Sequence, residues 1–160
     1  AAKTEGGLER GPFETADRAG LDRELKDSET IYKLLDSPES LKPQPLLARL
    51  TQYGQLGRKT NAGFYIYDDG AICGQNPFLK DIAPYLGIKT LPAKEIFARL
   101  AVAVADEARR VAAQTMTSEY DIETVARVGL GWPKSPLALA KETGETLANV
   151  KETDQWGEAF

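Results

Sequence analysis

Histidine is absent from this 160-residue chain, and cysteine and methionine occur once each. Without histidine the chain has no Ser-His-Asp or Cys-His triad, no imidazole acid or base, and no histidine-ligated zinc. With Cys73 alone, no internal disulfide and no multi-cysteine zinc site can form, which fits a reducing, cytoplasmic compartment. An excess of basic charge is also missing: 20 Lys and Arg face 24 Asp and Glu, for a net charge of -4 and a pI near 5.0. Nothing there draws the chain to a phosphate backbone, so nucleic acid is disfavoured as a partner. No apolar run approaches the roughly 18 residues of a membrane span. The first residues, Ala1-Ala2-Lys3-Thr4-Glu5-Gly6-Gly7, lack the hydrophobic core of a secretory signal. The initiator Met is missing as well, and a fragment or processed product is the expectation.

What is present describes an ordinary globular protein, with 42% hydrophobic and 28% charged residues. The length suits one domain, or two small halves, and a chain of this size buries roughly 70% of its unfolded surface.

The pattern is mostly helical. Pro12 opens a helix over Phe13 to Ala19, and Gly20 suits a left-handed cap. Leu21, Leu25, Ile31, Leu34 and Leu35 are the apolar positions of a second helix, Leu21 to Leu35. A proline-rich connector through Pro38, Pro43 and Pro45 leads to a short helix, Leu46 to Thr51, ended near Gly54. Phe64-Tyr65-Ile66-Tyr67 and Ala71-Ile72-Cys73 flank Asp68-Asp69-Gly70 and predict one hairpin over 64–73. A short helix over Pro77 to Leu86 and a linker from Gly87 to Leu91 follow.

The strongest periodicity runs from Pro92 to Thr115, about 1.5 Å per residue and so roughly 36 Å long. Ile96, Leu100, Val104, Ala108 and Val111 make its stripe. Ala101, Ala103, Ala105, Ala112 and Ala113 would let another helix approach closely. Asp106, Glu107, Arg109 and Arg110 read as a salt-bridged flank. Ser118 caps a further helix that runs to Gly129. Trp132-Pro133-Lys134-Ser135-Pro136 is a rigid turn, and Pro136 starts a helix that Gly144 ends. The tail to Phe160 is weakly helical.

Part of this pattern occurs twice. At one constant offset Pro12 matches Pro136, Ala16 matches Ala140, Gly20 matches Gly144 and Gly7 matches Gly131, while Arg10 and Lys134 keep the charge. These are turn, cap and small-contact positions, so the match predicts one local geometry used twice. It predicts tandem partial repeats: residues 1–90 form the later part of one helical unit, and residues 91–160 the first part of another.

Few motifs carry chemistry. Gly129-Leu130-Gly131-Trp132-Pro133-Lys134 is a near miss for a dinucleotide loop, but it follows a helix, and Lys134 stands where the last glycine belongs. Asp68 and Asp69 are better explained by turn chemistry than by a metal. Cys73 lies in an apolar run and reads as buried rather than nucleophilic. Arg58 and Lys59, in a loop after Gly57, are candidates to hold an anionic group.

Three segments carry a resemblance. Leu56-Gly57-Arg58-Lys59-Thr60-Asn61-Ala62-Gly63-Phe64-Tyr65 resembles the Leu-Gly-Arg-Lys-Thr-x-x-Gly-Phe-Tyr signature of the C-terminal domain of NAD-dependent 3-hydroxyacyl-CoA dehydrogenases. Gly11-Pro12-Phe13-Glu14 through Asp17, Gly20, Leu21 and Asp22 is similar to that domain's Gly-Pro-Phe-Glu-x-x-Asp-x-x-Gly-Leu-Asp run. Asp121 to Thr124 and Gly129 to Lys134 resemble the run before that motif in a second copy. The order fits too, and together the segments cover most of the chain.

The resemblance implies an all-α fold of the 6-phosphogluconate dehydrogenase C-terminal-domain type, in tandem as in multifunctional fatty-acid oxidation enzymes. It implies a substrate-side and dimerisation domain of an enzyme that oxidises 3-hydroxyacyl-CoA to 3-oxoacyl-CoA with NAD in fatty-acid β-oxidation. NAD, the catalytic histidine and its glutamate partner would then belong to a separate Rossmann domain, with no catalytic, cofactor or metal residue here. The family's junction Asn falls on Ala98, and its later Asn on Asp106, so the second unit looks degenerate. An acyl-CoA wall would be built from Gly11, Pro12 and Phe13, with Lys59 as an anion contact. The implied partners are that Rossmann domain, the acyl-CoA substrate and a second copy of the chain. The alternative is a non-enzymatic, stand-alone dimerisation or acyl-CoA-binding module. The helical domain of another β-hydroxyacid-type dehydrogenase fits the Gly-Arg-Lys-Thr…Gly-Phe-Tyr run less well.

Overall fold

The computed structural model describes residues 1–82, 91–114 and 117–148, except for the side chains of residues 40 and 144–148. Two compact units divide the described residues. One runs from Pro12 to Ile82; the other joins Ala1–Gly11 to the residues from Leu91 to Ala148.

In the first unit, helices α1 (Pro12–Ala19) and α2 (Leu21–Leu34) meet at Gly20, whose φ of 99° turns the chain between them. Asp22 and Glu24 in the first turn of α2 and Lys33 in its last complement the helix dipole. Asp36 and Ser37 take positive φ just before Pro38, and the helix stops there. Pro45 opens α3 (Pro45–Gln52). Leu21, Leu50 and Phe64 form the core, flanked by Ala16, Leu46, Leu47, Tyr65, Phe78 and Leu79. Burying Leu21 and Leu50 fully stabilises the unit by about 2–3 kcal/mol each.

The expected hairpin is an antiparallel pair, β1 (Tyr65–Asp68) and β2 (Ala71–Gln75). Asp69 and Gly70, both at positive φ, make the two-residue turn that matches strand twist. A bulge after Ile66 shifts the register, so that Ile66 faces Gly74 but Tyr67 faces Ile72. Strand β2 is exposed along its length, and Cys73 with it. The expectation of a buried Cys73 is therefore corrected: β1 lies against the core, and β2 is the outer strand of a two-stranded ribbon, exposed on both faces. Helix α4 (Phe78–Ile82) follows; its expected extension to Leu86 and the linker at 87–90 lie outside the described residues.

The second unit is built on α5 (Ala93–Gln114), packed against α7 (Pro136–Ala148). Its buried face is Phe97, Ala98, Ala101, Ala105 and Ala108, which shares only Ala108 with the expected stripe and takes in Ala101 and Ala105 of the alanines expected to let another helix approach. Ile96, Val104 and Val111 are exposed. Two apolar stripes run along α5, and the partner helix selects the one whose alanines permit close approach. Phe97, Ala101 and Leu139 pack together with Ala1 and Trp132. The expected flank holds, with Arg109 on Asp106 at 2.8 Å and Arg110 on Glu107 at 3.1 Å. Ser118 and Asp121 form a capping box at the start of α6 (Glu119–Thr124). A π-helical turn, Val125–Gly129, continues it. Gly144 does not end α7, which runs on to Ala148. A lone glycine costs a helix only about 1 kcal/mol, and Glu145 to Ala148 are fair helix formers. Thr115 and the tail beyond Ala148 lie outside the described residues.

The repeated pattern has a structural counterpart. Leu8 N donates to Ala2 O at 3.2 Å, and at the same offset Trp132 N donates to Ala126 O at 3.0 Å. Ala2 and Ala126 are both buried, and Gly7 and Gly131 have φ values of 65° and 66°. Pro12 and Pro136 each open a helix immediately afterwards.

Candidate functional site

Asp17 is the organising residue of the signature segments. It lies on α1 one turn after Phe13, and only 1% of it is exposed. Its carboxylate accepts from Phe64 N at 2.8 Å, Tyr65 N at 2.9 Å and the Tyr67 hydroxyl at 2.9 Å. These bonds tie the first strand of the hairpin to α1. The Phe13 ring stacks on Phe64, with centroids 4.3 Å apart and planes at 24°.

The glycines of the signature permit this approach. A side chain at Gly57, where φ is 93°, would begin 2.7 Å from Asp17 Cα. One at Gly63 would begin 2.6 Å from Gly57 Cα and would also strike the Asp17 carboxylate. Asn76, buried as well, donates to Gly63 O at 2.6 Å and to Gln55, and accepts from Phe78 N at 3.0 Å. The Arg58–Thr60 turn is closed by Thr60, whose hydroxyl accepts from Leu56 N at 2.9 Å. Burial, and then the bond to Asp17, pushes the Tyr67 hydroxyl above its ordinary pKa of 10.0.

The expected wall residues do not converge. Pro12 and Phe13 are exposed on the first turn of α1, and half-buried Gly11 lies where the two units divide. Lys59 bonds Asp22 at 2.5 Å and lies over Gly20, past the other end of α1. That bond holds the Asp22 carboxyl below its ordinary range. Seven residue steps, roughly 10 Å along the helix axis, lead from Phe13 to Gly20. Ala98 is fully buried in α5, and Asp106 is exposed and paired.

Sequence reasoning missed Asp17, Tyr67 and Asn76 as a network. The available signal was an acidic residue on the apolar side of a short helix, one turn from Phe13, with two glycines in the facing loop.

The arrangement offers a rigid aromatic and turn surface, with an ion pair beside it. The described residues do not fit a dinucleotide. Their one sheet is the antiparallel hairpin. The near-miss glycine loop follows a π-helical turn, and its Lys134 is tied to Glu142 at 2.6 Å. No cluster of metal-ligating side chains occurs among the described residues, and none of their helices is long and apolar enough to cross a membrane.

Comparison with known proteins gives these residues a context. Residues 1–67 match the family model for the 3-hydroxyacyl-CoA dehydrogenase C-terminal domain. A 3-hydroxybutyryl-CoA dehydrogenase of Bradyrhizobium diazoefficiens is 45% identical over 58 residues, 36% of this chain and 19% of that protein. A probable 3-hydroxybutyryl-CoA dehydrogenase of Deinococcus radiodurans is 42% identical over 57 residues, 36% of this chain and 20% of its own. A glyoxysomal fatty acid beta-oxidation multifunctional protein of Cucumis sativus is 26% identical over 140 residues, 79% of this chain and 19% of that protein. The crystal structure of a 3-hydroxybutyryl-CoA dehydrogenase from Escherichia coli K12 superposes with a TM-score of 0.67 at 18% identity. It covers 99% of this chain and 50% of that one, and the likeness shows the fold. The chain thus spans about a fifth of the length of the curated relatives it matches. The Asp17 network, from the turn at Gly11 to Tyr67, falls within the residues that match the 3-hydroxyacyl-CoA dehydrogenase C-terminal domain model.

Proposed function

We propose that the chain is the helical, substrate-side and dimerisation part of an NAD-dependent 3-hydroxyacyl-CoA dehydrogenase of fatty-acid β-oxidation. The observation that carries this reading is the Asp17 network, which joins both signature segments into one rigid surface within the family match.

Oxidation of a 3-hydroxyacyl thioester needs a base at the hydroxyl and a hydride acceptor at near-attack distance. This chain has no histidine to serve as that base. NAD, which accepts the hydride, and the base belong in this reading to a separate Rossmann domain. The chain itself supplies shape. Pro12 and Phe13 form an apolar edge backed by Phe64, which excludes water from one side of a cleft. Gly11 allows the backbone to come close to a substrate, and Lys59 lends positive charge for an anionic group once Asp22 releases it.

Residues 1–90 are the later part of one helical unit and residues 91–160 the first part of a second, degenerate one. The partners are the Rossmann domain, an acyl-CoA and a second copy of the chain, in the cytoplasm. The test is NADH formation by the pure chain with NAD and 3-hydroxybutyryl-CoA. None is expected, and turnover that scales with chain concentration through repurification overturns the reading. Sedimentation should show self-association that grows with concentration.

A further inference from the structure

Two aspartates of the first unit take positive φ, Asp36 at 59° and Asp69 at 45°. They differ in the amide that follows each. Ser37 N donates to Tyr32 O at 2.8 Å, and the Ser37 side chain crowds its own nitrogen. Gly70 has no side chain, and it lies in the turn between the strands, so its N–H takes no part in the ladder. Asp69 itself is exposed. Joining Gly70 N to the Asp69 side-chain carbon, Cγ, would close a five-membered ring. That ring needs Cβ nearly eclipsed with the nitrogen, which sets ψ of Asp69 to about −120° with φ free to stay positive. These are the angles of the first central residue in a II′ turn. With Asp69 and Gly70 both at positive φ, the hairpin has the I′ form, and I′ becomes II′ when the one peptide between them flips. Both forms match strand twist, and glycine tolerates the change of sign at its own φ.

We infer that Asp69–Gly70 is a self-modification site, at which the folded hairpin forms a succinimide and then an isoaspartate without unpairing its strands. Gly70 N attacks Cγ of the protonated Asp69 carboxyl. The new N–C bond forms, and the carboxyl hydroxyl leaves with the amide hydrogen as water. Water then adds to one ring carbonyl. Breaking the Cγ–N bond returns aspartate. Breaking the bond from Gly70 N to the Asp69 backbone carbonyl leaves the chain running through Cβ and Cγ. No reagent but water is needed. The second product adds one carbon to the main chain of a two-residue turn, so Asp68 and Ala71 lose their register. Strand β1 stays in place, because Asp17 holds the Phe64 and Tyr65 N–H groups. Strand β2, exposed along its length, is the one released.

The test incubates the full ¹⁵N-labelled chain at about pH 5, where part of any ordinary carboxyl is protonated, and then at neutral pH. Trypsin then releases residues 60–80, which hold Asp69, and residues 34–49, which hold Asp36. The first fragment should lose the mass of one water and then regain it as isoaspartate. Methylation by an isoaspartate methyltransferase reads that product, and fragmentation places it at residue 69. The second fragment should stay unchanged, and Asp69→Ser should abolish both changes. The rate should stay flat in urea below the unfolding transition. In the aged chain the Ala71 and Ile72 amide signals should shift while those of Phe64 and Tyr65 hold. An unmodified 60–80 fragment overturns the proposal, as does equal reaction at Asp36 or reaction that survives Asp69→Ser. A rate that climbs with urea below the transition overturns it too, because the reaction would then belong to the opened chain.

Discussion

Helices α1 and α7 begin alike and end in different company. Each is preceded by a glycine at positive φ and a backbone bond to a buried alanine, and each is opened by proline. One then buries a carboxylate that holds a hairpin, and the other exposes a lysine beside an open cavity. A turn-and-helix unit is thus set by a few glycine, proline and alanine positions, whereas what packs on it depends on the other side chains of the helix, Phe13 and Asp17 against Leu137 and Lys141 among them. The buried faces differ as well. Pro136, Leu139 and Ala140 are buried in the unit where α7 packs on α5. Pro12 and Thr15, the counterparts of Pro136 and Leu139, are exposed on α1.

The sharpest way to break the comparison is at the two matched side chains. Asp17→Ala leaves the Phe64 and Tyr65 N–H groups and the Tyr67 hydroxyl without their acceptor, and should cost about 3–5 kcal/mol in urea unfolding. Lys141→Ala at the matching position should change stability by less than about 0.5 kcal/mol. Equal effects would mean that Asp17 is not the latch.

A smaller effect is expected at Tyr67. Tyr67→Phe removes one bond to a buried carboxylate and should cost about 1–2 kcal/mol at neutral pH. Folding raises the Tyr67 pKa above 10.0, so it favours the protonated phenol. The corresponding stability is complete below pH 10 and lost as pH rises beyond it. The gap between wild type and Tyr67→Phe should therefore narrow in unfolding curves taken above pH 10; a constant gap would contradict the buried Tyr67–Asp17 bond.

The smallest effect is expected at Lys59. Lys59→Met should return the Asp22 carboxyl toward 3.8 in an NMR titration and leave the unfolding midpoint where it was. A large midpoint shift would show that the exposed pair carries structure.

Much of the fold was legible because it rests on local signals. Pro12, Pro45 and Pro136 open helices, Asp69-Gly70 turns the hairpin, and Ser118 caps α6. The buried face of α5 was not legible, since Ile96, Val104 and Val111 make as good a stripe as Phe97, Ala101 and Ala105. Only the packing of α7 decides between them. Cys73 was misread because an apolar run does not say whether a strand has a second neighbour. Of the site, the segments were visible through their resemblance. The bond joining them was not, since Asp17 and Phe64 are far apart in sequence and nothing local couples them.

The account turns on the chain acting beside a nucleotide-binding domain that holds the reacting groups. The most direct measurement adds the pure chain to the separately produced N-terminal domain of the Deinococcus radiodurans relative, with NAD and 3-hydroxybutyryl-CoA, and follows NADH. The account predicts a rate well above the sum of the two parts, reduced by Asp17→Ala. A rate no greater than that sum would contradict it.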